Sequence, residues 1–252
     1  MASKKLGEIK GPFTVWLFVT LYFAIPMLIN GSSNGTLPQN LTISLILALL
    51  TSIAIGWGGI LVFLVIFLAL WERRRSLGEI FSSVGLRRTG FVKSMLWSFA
   101  LFPFCVVVGL ISMMLSNFIG PLPTAVSNSE QAPFWYPWYM IIYSFFPVAV
   151  LEEAIARGYM LDRLMPQHPS SLTKALPAML LSSLLATLYH IPAYLRVYAL
   201  PIPWTIGRLT INVFPISLVL SIVYVRARTR NIIGPILIHF LLDAIPFILL
   251  LT

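Results

Sequence analysis

The sequence predicts an all-α fold: a polytopic membrane bundle of about seven transmembrane helices, forming a single integral membrane domain over residues 1–252. Of the 252 residues, 58% are hydrophobic and only 10% are charged, and the mean hydropathy is +0.90, which lies outside the range of soluble domains. Apolar runs long enough to cross a bilayer recur along the chain, and basic residues occupy every second connection between them. None of these connections is long enough to hold a soluble domain.

Seven apolar runs approach or exceed the roughly 20 residues that an α-helix needs to cross a bilayer. They cover residues 13–29, 41–71, 91–116, 138–165, 172–194, 203–226 and 232–251. The second run is long enough to be divided, which would give eight spans. Pro192 is expected to bend the fifth helix near its end, because proline cannot donate a backbone hydrogen bond.

The net charge of +9 follows a clear pattern along the chain. Lysines precede the first run and arginines fill the connections 72–93, 157–174 and 225–230, whereas the alternate connections carry almost no basic residue. Because cytoplasmic loops are enriched in Lys and Arg, the pattern predicts a cytoplasmic N terminus. We expect a multi-pass protein of the cell membrane, or of the endoplasmic reticulum in a eukaryote, whose partner is the lipid bilayer and not a nucleic acid.

The connection 72–90 has a partly amphipathic composition. Ile80, Phe81, Val84 and Leu86 are expected to dip into the lipid headgroups while the neighbouring arginines stay in water. A solvated connector is the alternative that the sequence leaves open.

The candidate site begins with Glu152, Glu153 and Arg157, in the second half of the fourth run of a chain with only 8 acidic residues. A charge at membrane depth is costly unless it is paired or faces a wet cavity, so such residues are functional by default. In an α-helix Arg157 lies on nearly the same face as Glu153, while Glu152 points away. We expect a Glu153–Arg157 pair and an unpaired Glu152 that can accept a proton from water. A buried polar clamp without chemistry is the alternative.

Two of the three histidines fall inside predicted spans, His190 late in the fifth and His239 early in the seventh. Asp243 follows His239 by four residues, so the two side chains share a helix face. Polar groups in lipid attract one another, and these are expected to meet Glu152 in one interior cavity. Helix rise puts Glu152 about 16 Å and His239 about 12 Å from the cytoplasmic ends of their helices. The same estimate puts His190 about 24 Å from its helix end, which is too far out unless that helix starts later or is tilted. His168 lies in a basic loop outside this group.

The order of these motifs resembles the CPBP family of intramembrane proteases, which contains the type II CAAX prenyl endopeptidases and the Abi proteins of the bacteriocin-immunity type. The matching residues are Glu152, Glu153 and Arg157 for Glu-Glu-x-x-x-Arg, then His190 on the next span, then His239 and Asp243 for His-x-x-x-Asp/Asn. The resemblance covers residues 136–246, which we take as the catalytic core.

This chain departs from the family pattern at three positions. Ala156 and Ala186 stand where the family usually has phenylalanine, which predicts looser packing around the site without loss of a catalytic group. Asp243 replaces the asparagine of many prenyl proteases.

The resemblance implies that water hydrolyses a peptide bond within the membrane, in a membrane-tethered peptide or a prenylated, CAAX-type protein. It implies that Glu152 with His190 activates the water and that Glu153 and Arg157 orient the site. His239 with Asp243 would then stabilise the tetrahedral intermediate. A carboxylate base and donors directed at a developing oxyanion are what amide hydrolysis needs without a serine nucleophile.

A metal-dependent version of the site is also open. His190, His239 and either Glu152 or Asp243 would provide the two-histidine, one-carboxylate zinc site of a metalloprotease, with one coordination position free for water. No His-Glu-x-x-His helix is present, so the ligands would have to converge from separate spans. Catalysis without metal is slightly favoured.

Two further functions use the same residues. A transporter or proton relay would pass protons along the Glu, His and Asp side chains, and a noncatalytic immunity or binding protein would keep the motif for stability. Catalysis requires Glu152, His190 and His239 around one pocket, whereas a relay arranges them along the membrane normal. Activity retained after Glu152→Ala would favour binding over cleavage.

Overall fold

The computed structural model describes residues 10–22, 24, 58–74, 76–119, 136–166, 171–198 and 201–248. All regular elements among these residues are helices, without a strand, which confirms the all-α prediction. Parts of the predicted spans 13–29 and 41–71 lie outside the described residues, and so do Lys4, Lys5 and His168.

We number the helices of the described residues in chain order. They are α1 (10–22), α2 (Gly58–Leu70), α3 (Leu77–Ser83), α4 (Phe91–Ile119), α5 (Tyr136–Leu164), α6 (Leu172–Tyr189), α7 (Ile191–Tyr198), α8 (Ile202–Ala227) and α9 (Ile233–Ile248). Four of them, α4, α5, α6 and α8, are long and apolar enough to cross a membrane, and α2 and α9 are apolar but shorter. The chain is therefore a membrane protein, while the total of seven spans stays a prediction.

Helix α4 borders the lipid. Only 17% of its most apolar window is buried, and large side chains such as Leu96 and Phe99 are more than half exposed. Its remaining face packs against α8 and α9. An apolar helix whose outer face has no protein partner is stable only where lipid replaces water, as expected at the edge of a membrane bundle.

Helix α5 is the centre of the bundle, and every residue of its segment 151–162 is buried. Two close contacts hold this segment. Ser182 of α6 donates a hydrogen bond of 2.7 Å to the carbonyl of Ala156, and Gly158 packs directly against the backbone of Val84. A small residue lets two backbones approach closely, which is the usual way that membrane helices associate.

The connection 72–90 is tied to α5. It contains the short helix α3, which begins after Ser76, whose hydroxyl accepts a hydrogen bond from the backbone of Glu79. Ile80 and Val84 are buried in the protein core, so the prediction that they dip into the headgroups is wrong; they pack under the end of α5 instead. Phe81, in contrast, is 43% exposed.

Candidate active site

The two glutamates lie between two irregular stretches of α5. Residues 144–150 and 154–161 form π-helical turns, and only one short α-helical piece, Leu151–Glu153, separates them. Such turns are rare and concentrate at functional sites, because the wider hydrogen-bonding pattern moves side chains away from regular α-helical spacing. Glu152 and Glu153 themselves lie in the α-helical piece, where consecutive side chains are about 100° apart, and both carboxylates approach the imidazole of His239.

Glu153 and Arg157 form the predicted pair. Arg157 Nη1 donates to Glu153 Oε1 at 2.8 Å, and both side chains are buried. The other guanidinium nitrogen, Nη2, donates to the carbonyl and the hydroxyl of Ser217 in α8, at 2.6 and 2.7 Å. Arg157 thus joins the glutamate helix to α8, and one buried guanidinium fixes the position of Glu153.

His239 lies between the two glutamates. Its Nδ1 donates to Glu153 Oε1 at 2.8 Å, which fixes the ring orientation because a carboxylate can only accept. Its Nε2 faces two other carboxylates, Asp243 Oδ2 at 3.4 Å and Glu152 Oε2 at 3.9 Å. The prediction that His239 and Asp243 share one face of their helix is confirmed by this contact.

The expectation that Glu152 lacks a partner is wrong. Its Oε2 atom is 3.4 Å from His190 Nε2 and 3.9 Å from His239 Nε2, so two imidazoles from different helices approach the same oxygen. Sequence spacing within α5 alone could not reveal these partners, because both come from distant parts of the chain.

His190 reaches the site because α6 ends one residue before it. Pro192 has no N–H to donate to the carbonyl of Leu188, and its ring would clash with that carbonyl in a continuous helix. The chain turns at His190 and resumes as α7, so the predicted bend is a break between two helices. The estimate that His190 lies too far out is wrong, since its Nε2 lies 3.4 Å from Glu152 Oε2.

The imidazole of His190 is fixed on two sides. Its Nδ1 donates to the carbonyl of Ala186 at 2.7 Å, since a carbonyl can only accept, and the ring of Tyr189 stacks on it with centroids 4.5 Å apart. This leaves Nε2 directed at Glu152. Ala186 is itself buried, as is Ala156, so neither alanine leaves an open gap in the packing.

A cavity of about 240 Å³ brings these groups together. Its wall contains five of the six predicted site residues, Glu152, Arg157, His190, His239 and Asp243, whereas Glu153 is wholly buried behind it. Sequence reasoning missed four polar residues of the same wall: Tyr189, Tyr194, Asn212 and Ser217. An amide and a hydroxyl five residues apart within an apolar span were the available signal for Asn212 and Ser217.

Asn212 is the most informative of the missed residues. Its Nδ2 donates to Ser116 of α4 at 3.2 Å, while its Oδ1 is buried and accepts no hydrogen bond from the described residues. A buried acceptor at a cavity wall is costly to leave unsatisfied. It is suited to an N–H donor on a bound ligand.

The arrangement does not support the zinc alternative. Within the described ranges, no three His, Cys, Asp or Glu side chains are grouped so that they could hold a metal ion. The donor atoms of His239 are instead used by carboxylates on both sides of the ring. The proposed set of His190, His239 and Glu152 therefore remains without structural support as a metal site.

Comparison with known proteins gives one match. Residues 133–245 match the family model described as type II CAAX prenyl endopeptidase Rce1-like. Neither the curated proteins nor the solved structures gave a match.

Proposed function

We propose that the chain is an intramembrane protease of the CPBP family, in which Glu152 and His190 activate a water for attack on a peptide bond; the match of residues 133–245 to the Rce1-like family model supports this. The observation that carries the proposal is the convergence of His190 Nε2 and His239 Nε2 on Glu152 Oε2 at the wall of one cavity. A carboxylate and two imidazoles around one space are suited to moving protons to and from a reacting group.

In the first step, Glu152 takes a proton from a water in the cavity while the water oxygen bonds to the carbonyl carbon of the substrate. His190 in its imidazolium form donates from Nε2 to the same carboxylate oxygen and orients it, while its Nδ1–H is held by the carbonyl of Ala186. The carbonyl π bond opens and leaves a negative charge on its oxygen. Collapse of this intermediate breaks the C–N bond, and the proton held by Glu152 passes to the leaving amine.

His239 is the proposed donor to the developing oxyanion. In its imidazolium form the Nδ1–H is bound to Glu153, so the Nε2–H is directed into the cavity. Donors that are already oriented stabilise a developing charge without the cost of reorganisation. Arg157 and Glu153 act as positioning residues, because they touch the ring of His239 or its partner rather than the cavity centre.

We propose a membrane-tethered peptide, carrying a prenyl group of the CAAX type, as the substrate. The family acts on prenylated, membrane-associated proteins, and the walls of the cavity combine its polar groups with Val148, Val213, Ile216 and Leu220. Binding sites of this kind usually pair an apolar lining with a few oriented polar groups.

The convergence around one cavity also bears on the alternatives. A proton relay needs titratable groups spaced along a path, whereas His190 Nε2 and His239 Nε2 both lie within 3.9 Å of Glu152 Oε2. The arrangement therefore favours catalysis over transport. A noncatalytic immunity protein differs from both, because its activity would survive the loss of Glu152.

The test is a cleavage assay with detergent-purified protein and a panel of tethered peptides, prenylated and unprenylated, with and without chelator. We expect the wild type to release a product from a prenylated peptide and Glu152→Ala to release none. Glu79→Gln, which removes an exposed carboxylate outside the cavity, is the matched control and should cleave normally. Cleavage by Glu152→Ala at the wild-type rate would overturn the proposal, and the chelator arm reports separately on metal.

A further inference from the structure

A second, larger cavity lies apart from the candidate active site. Its volume is about 580 Å³, and it is bounded by the connection before α4, the end of α5 and the connection between α8 and α9. Four arginines from these three segments line it: Arg74, Arg87, Arg163 and Arg230. We call it the arginine cavity.

The lining of the arginine cavity carries more positive than negative charge, although Glu72 beside it pairs with Arg163 and Arg74. Its two acidic residues are Glu79 and Asp162. Asp162 is buried and already has protein partners. It accepts a hydrogen bond from Tyr224 at 2.9 Å and pairs with Arg163 at 3.1 Å and Arg230 at 3.4 Å. The arginines therefore outnumber the acids, and an anion in this space would be attracted.

Arg74 and Arg87 are the arginines with the fewest fixed contacts. Among the described residues, Arg87 donates only its Nε, to the carbonyl of Ser82, and Arg74 makes one pair, with Glu72 at 3.4 Å. The Nε of Arg74 is buried without an acceptor in the described part of the chain. Planar guanidinium groups with unused donors are the side chains best suited to phosphate oxygens.

The surroundings of the cavity indicate a ligand with an apolar part. Leu70, Trp71 and Leu77, which lie beside or within the connection that lines it, are between 60% and 76% exposed. Large apolar side chains exposed next to a basic cavity fit a molecule with an anionic head and hydrocarbon chains. A free phosphate would use only the arginines.

We propose that the arginine cavity binds the phosphate headgroup of an anionic phospholipid, with Arg74 and Arg87 as its adjustable donors. Basic cavities at the ends of membrane helices bind anionic headgroups by charge and hydrogen bonding together. The lipid would connect the segment 72–90 to the end of α5, and this role is independent of the proposed protease activity.

The test compares the thermal stabilisation of the detergent-purified protein by phosphatidylglycerol, phosphatidylcholine and inorganic phosphate. We expect phosphatidylglycerol to raise the unfolding temperature at least threefold more than phosphatidylcholine does, and inorganic phosphate to have little effect. The double variant Arg74→Gln/Arg87→Gln should lose most of the response to phosphatidylglycerol. Arg73→Gln/Arg88→Gln is the matched control, because it removes the same charge from two exposed arginines of the same connection that do not line the cavity.

Equal stabilisation by the two lipids, or a full response in the Arg74/Arg87 variant, would overturn the proposal. An equal effect of inorganic phosphate would show a soluble anion site and overturn the lipid assignment. Native mass spectrometry of the wild type gives a result even if the variant fails to fold: retention of phosphatidylglycerol over phosphatidylcholine is expected, and no preference would contradict the proposal.

Discussion

Nδ1 of His239 lies 2.8 Å from Oε1 of Glu153, and the same oxygen accepts a hydrogen bond from Arg157 at 2.8 Å. A histidine of α9 is therefore oriented by a carboxylate of α5, which is held in turn by a guanidinium that also binds Ser217 of α8. The position of His239 at the cavity depends on all three helices. A substitution that breaks any of these contacts should therefore change the position of His239 at the site.

The first prediction concerns the anchor of Glu153. Arg157→Gln leaves the buried carboxylate without its cation, and we expect it to lower the free energy of unfolding by about 3–5 kcal/mol. Ser217→Ala should cost less, about 1.5–3 kcal/mol, because the Ser217 carbonyl still accepts from Arg157. Denaturant unfolding in detergent measures both. Equal effects of the two variants would contradict the dominance of the ion pair.

The second prediction concerns the close approach of α5 to the connection before α4. A Cβ on Gly158 would lie 2.0 Å from the carbonyl oxygen of Val84. This oxygen belongs to the backbone, so the clash is relieved only if the chain itself shifts. Gly158→Ala should therefore destabilise the protein by about 1–3 kcal/mol or more. Gly109→Ala in α4 is the control, since its added methyl would meet only Leu242 at 4.0 Å. Similar unfolding temperatures for the two variants would show that the contact is not tight.

The third prediction concerns Asp243, which stands 3.4 Å from Nε2 of His239. Asparagine has the same shape and keeps an acceptor oxygen for His239, so Asp243→Asn should retain cleavage within about tenfold of the wild type. Asp243→Ala removes this acceptor, which orients the proposed oxyanion donor His239, and should cost at least about a hundredfold in kcat, as the loss of one oxyanion donor does. The measurement is kcat and KM on the tethered peptide. An inactive asparagine variant beside an active alanine variant would contradict this role.

The fourth prediction concerns acid stability. Burial raises the pKa of Glu72, but hydrogen bonds and positive charge from Arg163 and Arg74 outweigh it, so the pKa lies below its ordinary value of 4.5. A lowered carboxyl pKa stabilises the folded state fully above pH 4.5, and this contribution disappears as the pH falls from 4.5 through the folded value.

Unfolding temperatures of the wild type and Glu72→Gln over this range measure the effect. The difference between them should shrink as the pH falls below 4.5, because protonated Glu72 and glutamine are both neutral. A difference that stays constant down to pH 3 would contradict the assigned contribution of the Glu72–Arg163 pair.

Much of the fold could be predicted because membrane spans leave a strong signal. The apolar runs 91–116 and 203–226 correspond closely to α4 and α8, since hydrophobic length determines both ends and basic residues mark one end of each. The break after Tyr189 was less visible. Pro192 predicts an interruption of the helix, but only the packing of α6 and α7 determines that the chain turns at His190.

The site was predictable as a set of residues and not as a geometry. Glu152, Glu153, Arg157, His190, His239 and Asp243 are unusual because charged and imidazole side chains are rare inside spans. The Glu153–Arg157 pair and the His239–Asp243 contact were predictable from helical spacing, whereas the 2.8 Å contact between His239 and Glu153 was not, because it joins two helices. Ser217 was missed because a serine near an asparagine in an apolar helix is only a weak signal until its contact with Arg157 is known.

The central claim is that Glu152 and His190 act together on one water. The most direct test measures kcat for the wild type, Glu152→Gln, His190→Gln and the double variant on one tethered, prenylated peptide. General acid–base catalysis contributes about 10²–10⁴-fold, so each single variant should lose at least about a hundredfold. The double variant should be no slower than the slower single variant, because residues that act as a unit are not additive. Losses that multiply, or a Glu152→Gln variant with wild-type kcat, would contradict the account.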